Sequence, residues 1–258
     1  MKVSKIKMAI LGACLVPLIP SVGLAEEVKE AASEFSISGN VGLFSDYIFR
    51  GYTQTKHQAA IQGGFDVEHS TGFYAGVWAS NVSWTTQSGV MSDNSVEIDV
   101  YGGYATELAG VGVDVGLLQY YYPGDYVNGS KVDSEATEFY VGVSKDIGAV
   151  SASVTAYTVL TDEAWQFGDM KGETYLTLDI DVPVNDKLTI SGHIGHQTFG
   201  GTTDYDYTDW KANAEYAIND TFAAGVYYTD TNMNQTNWTV ASEFLGESTV
   251  GLYLAAGF

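Results

Sequence analysis

The chain has 258 residues, with 32 Asp and Glu against 11 Lys and Arg and a formal net charge of −21. So acidic a molecule argues against nucleic acid as a partner, because binding phosphates needs clustered Lys and Arg. Charged residues are 17% of the chain, while Gly (29) and Tyr (18) are abundant and Pro (4) is scarce. That balance points to β-structure rather than disorder.

Lys2, Lys5 and Lys7 precede an apolar run over 8–19, and Gly23-Leu24-Ala25 supplies small residues before Glu26. Residues 1–25 therefore read as a secretory signal peptide. Cys14, the sole cysteine, lies inside it. A lipoprotein cleavage box at Leu11-Gly12-Ala13-Cys14 fits less well, since the apolar stretch before it is short and apolar residues continue after it. Cleavage after Ala25 leaves no thiol, so disulfides and thiolate metal sites drop out. Residues 26–33 form a short charged periplasmic lead, and 34–258 are expected to be one barrel.

Past the leader no run of roughly 18 apolar residues occurs, which excludes a helical membrane span. Alternating segments begin instead, and a period of two marks a strand with one apolar face. The first runs Phe35, Ile37, Gly39, Val41, Leu43 and continues through Tyr47 and Phe49. Others centre on 61–67, 73–79, 96–104, 111–117, 139–143, 150–156, 176–182, 188–194, 210–216, 222–228 and 250–258. About twelve strands result, each long enough for the roughly 9–11 tilted residues that cross a bilayer. The last places Val250, Leu252, Leu254, Ala256 and Phe258 on one face. Ending on an aromatic within the apolar stripe resembles the closing strand of outer-membrane barrels, where the insertion machinery reads that residue.

The connections alternate in length. Tight-turn sequences at 70–72, 108–110, 146–148, 185–186 and 219–220 separate longer polar stretches at 51–58, 85–94, 123–134, 162–172, 200–206 and 230–247. Short periplasmic turns and long outer loops are what a transmembrane antiparallel up-and-down barrel requires. The segment 238–244 could pass as a thirteenth strand; parity assigns it to the last outer loop. A soluble β-sandwich fits less well, since its strands usually run roughly five or six residues and its edges tend to carry lysine.

With the apolar stripe toward lipid and lipopolysaccharide, the alternate positions line the lumen. The expected lining is Asp46, Arg50, Asp66, Glu68, Glu97, Asp99, Asp114, Glu138, Asp179, Asp181, Lys211 and Glu215. Tyr74, Trp78, Tyr101, Tyr140 and Tyr175 are the candidate lumen aromatics. Two like charges about 8 Å apart repel by about 2 kcal/mol at an effective dielectric near 20. A dry acidic plug is thus costly, and a hydrated, cation-preferring pore relieves the strain. Inward glycines such as Gly64, Gly76, Gly103, Gly116 and Gly225 make room there and the tyrosines remove it, packing the interior or stacking on a solute. Arg50, four residues after Asp46 on one face, is expected to pair with it or with a neighbouring strand, as a rim clamp or as a constriction that touches substrate. Tyr47, Phe49, Trp84, Tyr121, Trp210 and Tyr228 are assigned to the interfacial aromatic girdle. The run Thr203-Asp204-Tyr205-Asp206-Tyr207-Thr208-Asp209 offers oxygen ligands for calcium but lacks a recognised spacing, so it reads as a solvated loop.

Ser45-Asp46-Tyr47-Ile48-Phe49-Arg50-Gly51, then Gln62-Gly63-Gly64 and Gly72-Phe73-Tyr74-Ala75-Gly76-Val77-Trp78-Ala79-Ser80-Asn81, resemble the TorF family of proteobacterial outer-membrane porins. Tyr227-Tyr228-Thr229-Asp230-Thr231 and Phe258 fit it as well. The resemblance implies a barrel in the outer membrane of a Gram-negative bacterium, a pore role, and no catalytic residue or cofactor. The leading expectation is passive diffusion of small cationic or neutral solutes, without enzyme activity. Two alternatives stand beside it: a surface adhesin acting through its loops, and a barrel hydrolase using His196 with Asp206 or nearby acids. General acidity also suits a saline habitat, without any bearing on selectivity.

Overall fold

The computed structural model describes residues 33–128, 133–201 and 203–258. The expected signal peptide and nearly all of the periplasmic lead lie outside the described residues. The elements in chain order are β1 (Phe35–Phe44), β2 (Ile48–Phe49), β3 (Tyr52–Thr53), β4 (Ala60–His69), β5 (Phe73–Asn81), α1 (Trp84–Gln87), β6 (Val96–Leu108), β7 (Val111–Tyr121) and β8 (Ala136–Ile147). They continue with β9 (Val150–Val159), β10 (Thr174–Pro183), β11 (Leu188–Gln197), a 3-10 turn (Thr203–Tyr205), β12 (Tyr207–Ala217), β13 (Phe222–Thr231), β14 (Thr239–Val240), β15 (Glu243–Phe244) and β16 (Thr249–Gly257). No helix among the described residues is long and apolar enough to cross a membrane.

Twelve strands close into one antiparallel barrel in the order β1-β16-β13-β12-β11-β10-β9-β8-β7-β6-β5-β4. Every neighbouring pair except the closing one is consecutive in the wall, so the topology is up-and-down. Closure pairs β1 with β16 from Asn40↔Gly257 to Phe44↔Tyr253. The terminal residue extends it, since Gly39 and Phe258 exchange backbone hydrogen bonds of 2.8 and 3.0 Å. All twelve segments expected from alternation fall on wall strands. The stretch 238–244 folds as the small β14–β15 hairpin apart from the wall, so the strand count stays even.

The apolar stripe faces out. Ile37 is 78% exposed, Val250 68% and Leu252 62%, whereas Glu97, Asp99 and Glu138 are 1, 1 and 0% exposed. Such a surface is unstable in water and suits acyl chains. At the inner rim the chain turns sharply: Ala109 and Gly110 take φ of 54° and 79°, and Gly72 and Gly148 also adopt positive φ.

The first strand departs from expectation. It ends at Phe44 rather than running on through Phe49, and 45–59 leaves the wall. Ser45 is still tied to β16, donating its N–H to the Leu252 carbonyl and accepting at Oγ from the Leu252 N–H. The chain then turns inward as the β2–β3 hairpin. Its two turn residues, Arg50 (φ 44°) and Gly51 (φ 87°), supply the paired positive φ values of a tight hairpin turn.

Candidate functional site

This inturned loop crosses the barrel. Tyr47 donates to Glu97 Oε1 on β6 at 2.7 Å, and Tyr227 on β13 donates to the Asp46 carbonyl at 3.1 Å. At the tip, Arg50 Nη2 lies 2.6 Å from Glu138 Oε2 on β8 and Nη1 lies 2.7 Å from Gln197 Oε1 on β11. Its guanidinium sits over the rings of Tyr175 and Tyr157, with Cζ 4.3 and 5.2 Å from their centroids. Phe49 packs edge-on against Tyr120, and Tyr52 against Tyr207. Tyr47, Phe49, Arg50, Thr53, Gln54 and Thr55 are buried. The loop therefore fills the outer half of the lumen.

Two expectations are corrected here. Arg50 does not pair with Asp46 or clamp the rim; it bonds to the far wall. Asp46 instead accepts from the hydroxyls of Thr53 (2.7 Å) and Thr55 (2.9 Å) and lies 2.7 Å from His57 Nδ1. Those partners all follow Asp46 within its own loop, so they pull the chain off the wall. Burial pushes the Asp46 carboxyl above its ordinary range, with the hydrogen bonds and His57 working against the shift. Tyr47 and Phe49 likewise do not belong to an aromatic girdle, because the inward turn buries them. Trp84 is carried away from the wall by α1 and packs against Tyr122. Tyr121, Trp210 and Tyr228 do lie on the outer surface.

The remaining lining residues project from wall strands and sort by depth. Glu97, Asp99 and Glu138 occupy the sealed outer half. Asp66, Glu68, Asp114, Asp179, Asp181 and Glu215 lie at mid-depth or toward the periplasmic end. Of these, Asp66, Glu68, Asp179 and Glu215 are half-buried, Asp181 is exposed and Asp114 is buried. Lys211 sits at mid-depth over the Tyr227 ring, 5.0 Å from its centroid. Acidic groups thus occupy inward positions from the periplasmic end up to the loop.

The tyrosines have a role the sequence did not reveal. Tyr101 donates to Asp66 (2.5 Å), Tyr74 to Asp114 (2.7 Å), Tyr120 to Glu138 (2.9 Å), Tyr175 to Asp209 (2.9 Å) and Tyr253 to Glu215 (2.9 Å). Tyr140 meets the Tyr74 hydroxyl. A phenol donating to a carboxylate stabilises the anion without a counter-charge, which is how this interior carries acids with few cations. Trp78 packs against Tyr47 rather than presenting a free face. The inward glycines serve the same arrangement: a methyl group on Gly76, Gly103, Gly116 or Gly225 would overlap Tyr101, Tyr74, Tyr140 or Tyr253 respectively.

Asp209, which the sequence places in a solvated loop run, meets His193, whose inward position alternation does give. His193 lies 2.6 Å by Nδ1 from Asp179 and 3.1 Å by Nε2 from Asp209. The oxygen-rich run 203–209 is split: Asp209 points into the lumen, whereas Asp206 caps the Phe199 N–H at 2.8 Å. Its carboxylates do not converge. Nor does His196 meet Asp206, since it sits on the outer face against Thr208 at 3.0 Å.

Residues 28–258 match the model of a family described as "Bacterial protein of unknown function (Gcw_chp)". The chain belongs to this family. The description assigns no role, and the match carries this name rather than TorF. No curated protein matches the sequence. Among solved structures, the "KdgM porin" superimposes with a TM-score of 0.55 at 8% identity, covering 86% of this chain and 98% of that one. The "KdgM porin in complex with disordered oligogalacturonate" gives the same score and identity over 86% and 97%. The Acinetobacter baumannii outer-membrane protein Omp33 aligns more loosely, at 0.46 and 12% over 87% and 99%. At such identity the KdgM likeness shows a shared outer-membrane barrel fold for this Gcw_chp member, and no more than the fold.

Proposed function

We propose that the protein is an outer-membrane channel for passive diffusion of small cationic or neutral solutes, narrowed in its outer half by the loop 45–59. One observation carries this reading: carboxylates at inward strand positions run from the periplasmic end, where Asp181 is exposed and Glu68 half-buried, up to a loop held only by side-chain contacts. Loops can move where walls cannot, and carboxylates along a wet passage favour cations. The exposed apolar band supports a seat among outer-membrane lipid and lipopolysaccharide in a Gram-negative cell, reached after removal of residues 1–25. Phe258, at the seam and in the apolar stripe, supports recognition by the insertion machinery. The acidic interior gives nucleic acid nothing to bind.

Reversal potentials in planar bilayers test the reading. Cation preference is expected; anion preference, or no conductance from wild type and loop-released variants alike, would refute it. The filled outer half favours a second reading, a barrel acting through its outer loops. Deleting those loops would then abolish ligand binding while leaving conductance unchanged.

A further inference from the structure

We propose that Glu138, Tyr157, Tyr175 and Gln197 form a binding site for solute guanidinium groups, which Arg50 occupies in this conformation as an internal stand-in. The inference rests on the pore reading and names its solute class. Four observations support it. The Arg50 guanidinium Cζ lies 4.3 and 5.2 Å from two tyrosine ring centroids and 5.3 Å from that of Trp165. Paired rings on the adjacent strands β9 and β10, with a third from their connecting loop, give the electron-rich aromatic faces that hold organic cations. Glu138 and Gln197 accept from separate nitrogens at 2.6 and 2.7 Å, from β8 and β11, the strands that flank the two tyrosines. That split suits a planar fork of donors and suits a spherical cation poorly.

The third observation is spare capacity. Glu138 is fully buried, and its Oε1 has no hydrogen-bond partner among the described residues. A free guanidinium has more donors to offer than Arg50 delivers here, so the acceptor set exceeds what the loop uses. The fourth is that the occupant is held on strained backbone. Arg50 has φ 44°, a left-handed conformation that a side chain disfavours. The wall supplies a complete cation cage, and the loop fills it only by adopting that geometry. A solute guanidinium entering from either side competes with Arg50 for the cage, and winning it frees the loop tip.

The test uses the full chain refolded in lipid. Arg50→Gly empties the cage and suits the left-handed backbone. Guanidinium chloride is titrated against potassium chloride at matched ionic strength, read by Trp165 fluorescence with Trp165→Phe as reference. A saturable change at millimolar guanidinium and none with potassium is expected, and a weaker response in wild type. Affinity for guanidinium should exceed that for tetramethylammonium by about tenfold, since only the former donates hydrogen bonds. Adding Glu138→Gln should remove the response. If Arg50→Gly does not assemble alone, guanidinium in the refolding buffer should restore assembly. Equal responses to guanidinium and potassium, or no rescue, overturns the assignment. Binding is read without conductance, so the two proposals fail separately. A wild type that conducts while Arg50→Gly ignores guanidinium loses the cage and keeps the pore. A cage that binds in a protein with no conducting form loses the pore.

Discussion

Tyr253 on β16 reaches across Gly225 on β13 to donate to Glu215 on β12 at 2.9 Å, and the three residues lie in register on adjacent strands. Tyr101, Gly76 and Asp66 repeat the arrangement over β6, β5 and β4. Each glycine is the gap through which a phenol reaches a carboxylate. Any side chain at Gly225 meets the Tyr253 ring, so Gly225→Val should destabilise the barrel by about 1–3 kcal/mol through overpacking. Tyr253→Phe keeps the ring and loses the donor, at a cost of about 1–2 kcal/mol for a half-buried charged acceptor. Urea unfolding in vesicles measures both. In a Tyr253→Ala background Gly225→Val should cost much less, and additive effects would contradict the shared space.

Glu138→Gln leaves the buried Arg50 charge without its counter-ion, a change worth about 3–5 kcal/mol for a sealed pair. Since the loop can withdraw, that cost should appear as loop release rather than barrel unfolding. Protease should then cut near Lys56, and conductance should rise, while the wall's melting is little altered. Arg50→Gly with Glu138→Gln should be less perturbed than Glu138→Gln alone. A single variant that melts as a whole with its loop still protected would contradict this.

Neutralising the inward acids should weaken cation preference according to depth. Asp66 lies half-buried in the open half and Asp99 in the sealed half. A charge about 8 Å from a wet path contributes roughly 0.5 kcal/mol, or about twofold in a partition ratio. Asp66→Asn should lower the cation-to-anion permeability ratio by about that factor, and Asp99→Asn by less. The difference should shrink in high salt. Equal effects would mean that ions pass the outer half in this conformation.

The wall was legible from residues because its two faces solve opposite solvent problems, so Ile37, Val41 and Leu43 alternate with Ser38, Asn40 and Gly42 without interruption. Loop lengths fixed the parity that kept 238–244 out of the wall. The loop 45–59 was not legible. Tyr47 and Phe49 continue the period of β1, and alternation says nothing about a chain that leaves the sheet with its pattern intact. The local signal was Asp46 followed by Thr53, Thr55 and His57, which bind it only once the chain has doubled back. The partnership of Arg50 with Glu138 spans 88 residues of sequence, beyond the reach of spacing. Asp209 was hidden by its neighbours, since an acidic run masks the one member that points inward.

Phe258 is 69% exposed on the lipid face, yet its backbone closes the seam with Gly39. Phe258→Asn keeps the backbone bonds and removes only the exposed ring. The folded barrel should change by about 1 kcal/mol or less, as polar substitutions on the lipid face near the interface do. The amount reaching the outer membrane should instead fall several-fold, measured by fractionation. Equal loss of stability and assembly would assign the ring to packing alone.

Asp46 makes seating of the loop depend on pH. Its carboxyl is raised by burial, so the seated loop binds this proton more tightly than the released loop does. The stabilisation from protonated Asp46 is complete below the ordinary carboxylate range, about pH 4, and is lost as pH climbs through the raised value. Acid should therefore hold the loop in and rising pH should loosen it. A single cysteine at Gln54, buried while the loop is seated, reports release by its labelling rate, corrected for thiolate fraction with an unstructured peptide. The corrected rate should increase with pH across that window. Asp46→Asn, which stays neutral, should flatten this part of the profile. A profile that persists unchanged in Asp46→Asn would place the titrating group elsewhere.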